Sequence, residues 1–199
     1  MITGGVHRGT MITGMRYYDE RDTREEREQA VHYRTRQYGS NRRWVLKALR
    51  EVPYSIAREA DGVRNRDSRR VTDADEWSIV QILGYLRDSE KEDLVAARAI
   101  LRRDGARIEE RRAHYGPLEG DYSDDADQLL QDYWELREEL VWLLRDREEE
   151  WERSGEHPYR GKVTLDRLVH ETNERDLDVL WRLQRVRDAL GVARKRRRE

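Results

Sequence analysis

Beyond residue 40, apolar residues recur three and four positions apart in four long runs, the pattern of amphipathic helices. The first run holds Trp44, Val45, Ala48, Leu49 and Val52, and it opens after Ser40-Asn41, which can cap it. Pro53 is expected to end or restart this helix, with Tyr54 to Ala60 adding a turn or two before Gly62. The second run, expected over residues 75–103, carries Trp77, Ile79, Val80, Ile82, Leu83, Leu86, Leu94, Ala97 and Leu101. The third opens near Ser123, with Asp124 and Asp125 in the first turn where the helix dipole favours acids. It presents Leu129, Leu130, Tyr133, Trp134, Leu140, Val141, Leu143 and Leu144, and is expected to reach about Trp151. The fourth begins after Thr164, places Leu165, Leu168, Thr172, Val179, Leu183, Val186 and Leu190 on one stripe, and stops at Gly191. No segment reads as a strand.

The connections constrain the order of these helices. A helix over residues 75–103 is roughly 40 Å long at about 1.5 Å per residue. The stretch 104–122, marked as loop by Gly116-Pro117 and Gly120, can extend to about 60 Å. It can therefore recross the bundle and leave the second and third helices parallel. The turn over residues 154–162 is short and suits antiparallel neighbours. The expected fold is all-α: a four-helix bundle over residues 40–191, with a basic tail over 192–199. Residues 1–39 read as a separate lead. Its first part, 1–19, is rich in Gly and Thr and repeats Met-Ile-Thr-Gly at Met1 and Met11, which makes Met11 or Met15 alternative starts. Residues 20–38 are almost wholly charged and read as an extra polar N-terminal helix.

Composition narrows the class further. The 199 residues include 6 Trp and 10 Tyr, too many aromatics for a disordered chain, although 41% of positions are charged. Phe is absent, so Trp, Tyr and Leu supply the bulk of the core. Basic and acidic side chains number 40 and 42 and are interleaved, giving a net charge of −2 and no overall attraction to nucleic acid. With no Cys there is no disulfide, thiolate nucleophile or thiolate metal site. No apolar run is long enough to span a membrane, and the N-terminus carries no secretory pattern. The expected location is cytoplasmic.

Three stretches carry a resemblance to a known family. Glu76-Trp77-Ser78-Ile79 opens the second helix, followed by Gly84-Tyr85-Leu86 and Asp88-Ser89-Glu90. Trp151-Glu152-Arg153 leads through His157-Pro158 and Gly161 to Thr164-Leu165. Arg175-Asp176-Leu177-Asp178-Val179-Leu180 lies in the fourth helix, and Arg137 stands on the core stripe of the third. In order and spacing these resemble the DinB-like family of metal-dependent hydrolases and thiol transferases, over most of residues 44–190. The resemblance implies a bundle in up-down-down-up order. It also implies a metal held by one His from the second helix and two, four residues apart, from the fourth.

The positions matching those three ligands are Tyr85, Arg175 and Val179. Val cannot ligate, Arg repels a cation, and a lone Tyr is a poor ligand. No metal and no other cofactor is therefore expected. An Arg on the apolar stripe needs an acid, and Asp88 is the first expected partner of Arg175, ahead of Glu90 and Asp176. The candidate pocket is lined by Tyr85, Asp88, Arg137, Arg175, Asp176 and Val179, with Val179 as core and Tyr85 as a plug, or with Arg175, Arg137 and Tyr85 around an anionic ligand. His157 is expected to be structural and His170 solvated, and His7, His32 and His114 lie outside the helical runs. The expected activity is that of a metal-independent binding or interaction protein, with a small molecule or a protein as partner and a homodimer possible. The alternative is a metal-dependent hydrolase or thiol transferase with a relocated metal or a polar pocket around Asp88, Asp176 and Arg175. The tail Arg194-Lys195-Arg196-Arg197-Arg198 is short and lacks an aromatic platform, so nucleic acid and membrane are not expected partners.

Overall fold

The computed structural model describes residues 42–108 and 122–192. The lead, for which a polar helix is expected, the middle of the long connection and the basic tail lie outside the described residues. Helix α1 spans Arg42–Ala60, a single turn α2 spans Asn65–Ser68, and α3 spans Ile79–Arg102. Strand β1 (Ala106–Arg107) follows, then α4 (Ala126–Leu144), a 3-10 helix over Glu148–Glu152, strands β2 (Ser154–His157) and β3 (Gly161–Thr164), and α5 (Leu165–Ala189).

Side-chain contacts fix the helix directions. Arg42 at the start of α1 meets Asp166 at the start of α5, and Arg187 late in α5 donates to the carbonyls of Arg58 and Glu59 at the end of α1, so these two run parallel. Arg87 meets Asp124 and Asp132, and Arg98 meets Glu139, so α3 and α4 also run parallel. Asp93 meets Thr172 while Asp75, ahead of α3, meets Arg182, so α3 and α5 are antiparallel. The order is up-down-down-up, as the length of the second connection allows.

Helix starts follow side-chain caps. Ser78 Oγ accepts from the Gln81 amide while Gln81 Oε1 accepts from the Ser78 amide, a reciprocal capping box that begins α3 at Ile79 rather than near Asp75. Thr164 caps α5 by accepting from the Arg167 amide. The end of α4 falls at Leu144, earlier than Trp151, because Arg145 is extended and Asp146 adopts φ 58°, a left-handed value that breaks the helix. Pro53 neither ends nor restarts α1; the helix runs through it.

A small three-stranded sheet also departs from the sequence expectation. β2 and β3 pair antiparallel across the turn after His157, and β1 adds in parallel to β2. Gly155 permits this approach: a Cβ there would stand 2.5 Å from the Ile108 side chain. Asp104 ties the sheet to the end of α3 by accepting from the amides of Ser154 and Gly105 and lying 3.1 Å from the Ser154 hydroxyl.

The apolar core forms two clusters. One gathers Leu49, Leu94, Ile100, Leu140, Trp151, Leu165 and Val169. The other gathers Ile56, Ile82, Leu86, Leu129, Tyr133, Val179 and Leu183. Every long helix contributes to both, and between the two sets the buried polar residues are Glu90 and Asp93 on α3, Arg137 on α4, and Thr172 and Asp176 on α5. No helix among the described residues is long and apolar enough to cross a membrane.

Candidate functional site: a buried ion-pair layer

Between the apolar clusters lies a layer of ionisable and polar side chains. Glu90 and Asp93 come from α3, Arg137 from α4, and Thr172, Arg175 and Asp176 from α5. The spacings i, i+3 and i, i+3, i+4 put each set on one helix face. Arg137 is 2% exposed, and Glu90 and Asp176 are fully buried, so water cannot screen them.

Arg137 uses its whole guanidinium. Nε and Nη2 donate to the two oxygens of Glu90 at 2.7 and 2.8 Å. Nη1 and Nη2 donate to the two oxygens of Asp176 at 2.6 and 2.9 Å. Nη1 also reaches the Leu49 carbonyl at 3.0 Å. That carbonyl is free because the residue four places on is Pro53, which has no N–H to close the helical bond. The proline is thus tolerated inside α1, and the oxygen it leaves over becomes the fifth acceptor of Arg137. One side chain of α4 thereby touches the other three long helices.

Arg175 bridges the remaining acids, with Nη1 donating to Asp93 at 2.6 Å and Nη2 to Glu90 at 3.1 Å. The Thr172 hydroxyl lies 2.8 Å from Asp93 and 2.9 Å from the Leu168 carbonyl. Three carboxylates thus face two guanidiniums. Burial pushes the Asp176 carboxyl above the usual carboxylate range, against the opposing pull of Arg137. Burial also raises the Tyr133 hydroxyl well above its ordinary value, reinforced by the Asp176 charge. Tyr133 lies beneath Arg137, whose guanidinium stands 5.1 Å from the ring centre.

The structure brings three of the six candidate pocket residues together: Arg137, Arg175 and Asp176. Asp88 is not the partner of Arg175; its carboxylate accepts from Arg87 at 2.9 Å and from the Tyr122 hydroxyl at 2.9 Å. The reason is rotation about α3. Glu90 and Asp93 are buried on the core face, whereas Asp88 is only half-buried and lies towards α4. Tyr85 is half-buried and packs on the Trp77 ring, 5.3 Å between centres. Val179 is fully buried among apolar side chains. Neither joins the charged layer. Asp93 and Thr172 were absent from the candidate set. Their signal was present as acids and hydroxyls on core-facing positions, but a lone Asp within a charge-rich helix gives no hint of its direction.

The histidines take different places. His157 Nδ1 accepts from the amides of Tyr159 and Arg160, closing the β2–β3 turn. His170 is not solvated as expected: its side chain is 13% exposed and Nδ1 lies 2.8 Å from the Asp166 carbonyl, so Nδ1 carries the proton. Among the described residues no cluster of three or more His, Asp or Glu is arranged to hold a metal. At two of the positions that the resemblance would match to metal ligands, Val179 presents methyl groups to the core and Arg175 is bound to two acids. These residues do not fit a metal ion.

The order and directions of the helices define the class of protein: a four-helix bundle of the kind implied by the DinB-like resemblance. A solved structure shares it. YfiT from Bacillus subtilis, described as a probable metal-dependent hydrolase with an unusual four-helix bundle topology, superposes with a TM-score of 0.65 at 15% identity, covering 91% of this chain and 97% of that one. At that identity the likeness shows the fold. No family model and no curated protein matches the sequence.

Proposed function

We propose that this chain is a DinB-like bundle in which a salt-bridged layer stands where the family holds a metal, and that it works as a metal-independent binding or interaction protein. One observation carries the reading. Arg175, at a position matching a metal-binding His, is clamped between Glu90 and Asp93. A cation placed there would have to displace a guanidinium from two buried carboxylates, leaving charge unpaired in a low-dielectric interior. Val179 and Tyr85, at the other two matching positions, support the same conclusion. The anionic-ligand version of the pocket is less well supported, since both guanidiniums are already neutralised by carboxylates.

The likeness to YfiT favours a second reading, metal-dependent hydrolysis or thiol transfer through a relocated metal or a polar pocket near Asp176 and Arg175. One experiment separates the two. Protein purified without a His tag is assayed for bound metal by mass spectrometry and melted before and after chelator, then with added Zn²⁺ or Ni²⁺. The expected result is no stoichiometric metal and an unchanged Tm. Metal at one per chain, or a Tm that climbs with metal concentration by mass action, would sink the metal-free reading and favour the second.

A further inference from the structure

The outer faces of α1 and α4 form a surface that the ion-pair layer does not explain. The two helices pack side by side, and Tyr54 of α1 meets Trp134 of α4 edge to face at 4.6 Å. Four aromatic side chains on the described surface are strongly exposed, and three belong to this pair: Trp44 at 53%, Tyr54 at 59% and Trp142 at 73%. Single exposed aromatics are ordinary, but three on one two-helix face mark a contact surface.

The charges on this face are sorted by helix. On α1 the exposed ionic residues are Arg43, Lys47, Arg50 and Arg58, with Glu51 as the exposed acid. On α4 they are Asp127, Glu135 and Glu138, Glu139 being turned to Arg98 of α3, and no exposed base stands within the helix. Elsewhere the signs mix, as on α5 with exposed Arg167, Asp178 and Asp188. A basic stripe lies beside an acidic stripe, with aromatic rings on both.

The geometry points to a second copy of this chain as the occupant. A two-fold axis through the face lays α1 of each copy on α4 of the other. Both contacts then oppose basic to acidic side chains, and Trp44 near the start of α1 comes to lie against Trp142 near the end of the opposing α4. A two-fold contact needs a surface complementary to itself, and a face divided into halves of opposite sign meets that condition. The inference does not rest on the metal-free reading, because none of these residues belongs to the charged layer.

Sedimentation of the full chain tests it, with paired charge reversals. Arg43→Glu with Lys47→Glu makes both stripes acidic; Glu135→Lys with Glu138→Lys makes the acidic stripe basic. Wild type is expected to be dimeric, and to weaken as salt rises because these pairs are exposed. Each reversed variant alone is expected to dissociate about tenfold more readily or worse, since like charges then oppose each other. A one-to-one mixture of the two variants should restore the dimer. Trp142→Ala should weaken it without a charge change. These positions are exposed, so circular dichroism and Tm should stay close to wild type. A monomeric wild type overturns the proposal and leaves the face to another occupant. So does a dimer that neither reversal weakens, or a mixture that stays monomeric.

Discussion

Gly84 sits in α3 with the Tyr122 ring where a side chain would stand: an added Cβ would lie 2.4 Å from ring carbons. The ring cannot easily withdraw, because its hydroxyl is bonded to Asp88 and Arg87 lies over its face. Elsewhere in an exposed helix, Ala in place of Gly would be stabilising. Here Gly84→Ala is expected to destabilise by about 1–3 kcal/mol, the usual cost of overpacking, read as a lower denaturant midpoint at unchanged slope. A gain in stability would show that Tyr122 is free to move. The same local logic governs Arg175: its partners are the acids on the inner face of α3, and Asp88, close in sequence to both, is engaged elsewhere.

At the scale of elements, the junction between α3 and the sheet depends on one carboxylate. Asp104 accepts from the Ser154 amide at 2.8 Å, from the Ser154 hydroxyl and from the Gly105 amide, and these bonds hold its carboxyl below the usual range. The unfolded chain therefore binds this proton more readily than the folded one. The contribution is present above the unfolded value, near about pH 4, and is lost as pH falls through the folded value. Asp104→Asn is expected to flatten this part of the acid limb in stability measured by denaturant between neutral and acid pH. An acid limb of unchanged slope would show that Asp104 does not contribute. The sheet escaped the sequence reading for a related reason. Its strands are two to four residues long, too short for an alternating pattern, and β1 pairs with residues some fifty positions away, as in Ala106 with Gly155.

For the whole molecule, Arg137 is the single side chain of α4 that bonds to α1, α3 and α5 together. Arg137→Met removes the cation and leaves Glu90 and Asp176 buried without it. The expected cost is about 3–5 kcal/mol, the usual penalty for breaking a buried pair by removing one partner. The cost should fall when Glu90 and Asp176 are also replaced by apolar residues, because the unpaired charge is then gone. Thermal melts of the single and triple variants would check this. A single variant as stable as wild type would mean that water or a proton satisfies the acids.

The sequence by itself determined the class of fold, the four long helices and the order in which they run. Helical period is a local property, caps such as Thr164 are read within four residues, and the length of chain between helices bounds how they can connect. It also placed Arg137, Arg175 and Asp176 in one candidate site, because each falls on a core-facing stripe. Only the tertiary structure decided which acids they meet. Two positions, about 200° around α3, separate Asp88 from Glu90, and which acids of that helix reach Arg175 depends on how α5 is turned against it. The structure likewise decided that Pro53 stays inside α1. The Leu49 carbonyl it leaves without a donor is supplied by Arg137, 88 positions further along the chain, a pairing that no local pattern can announce.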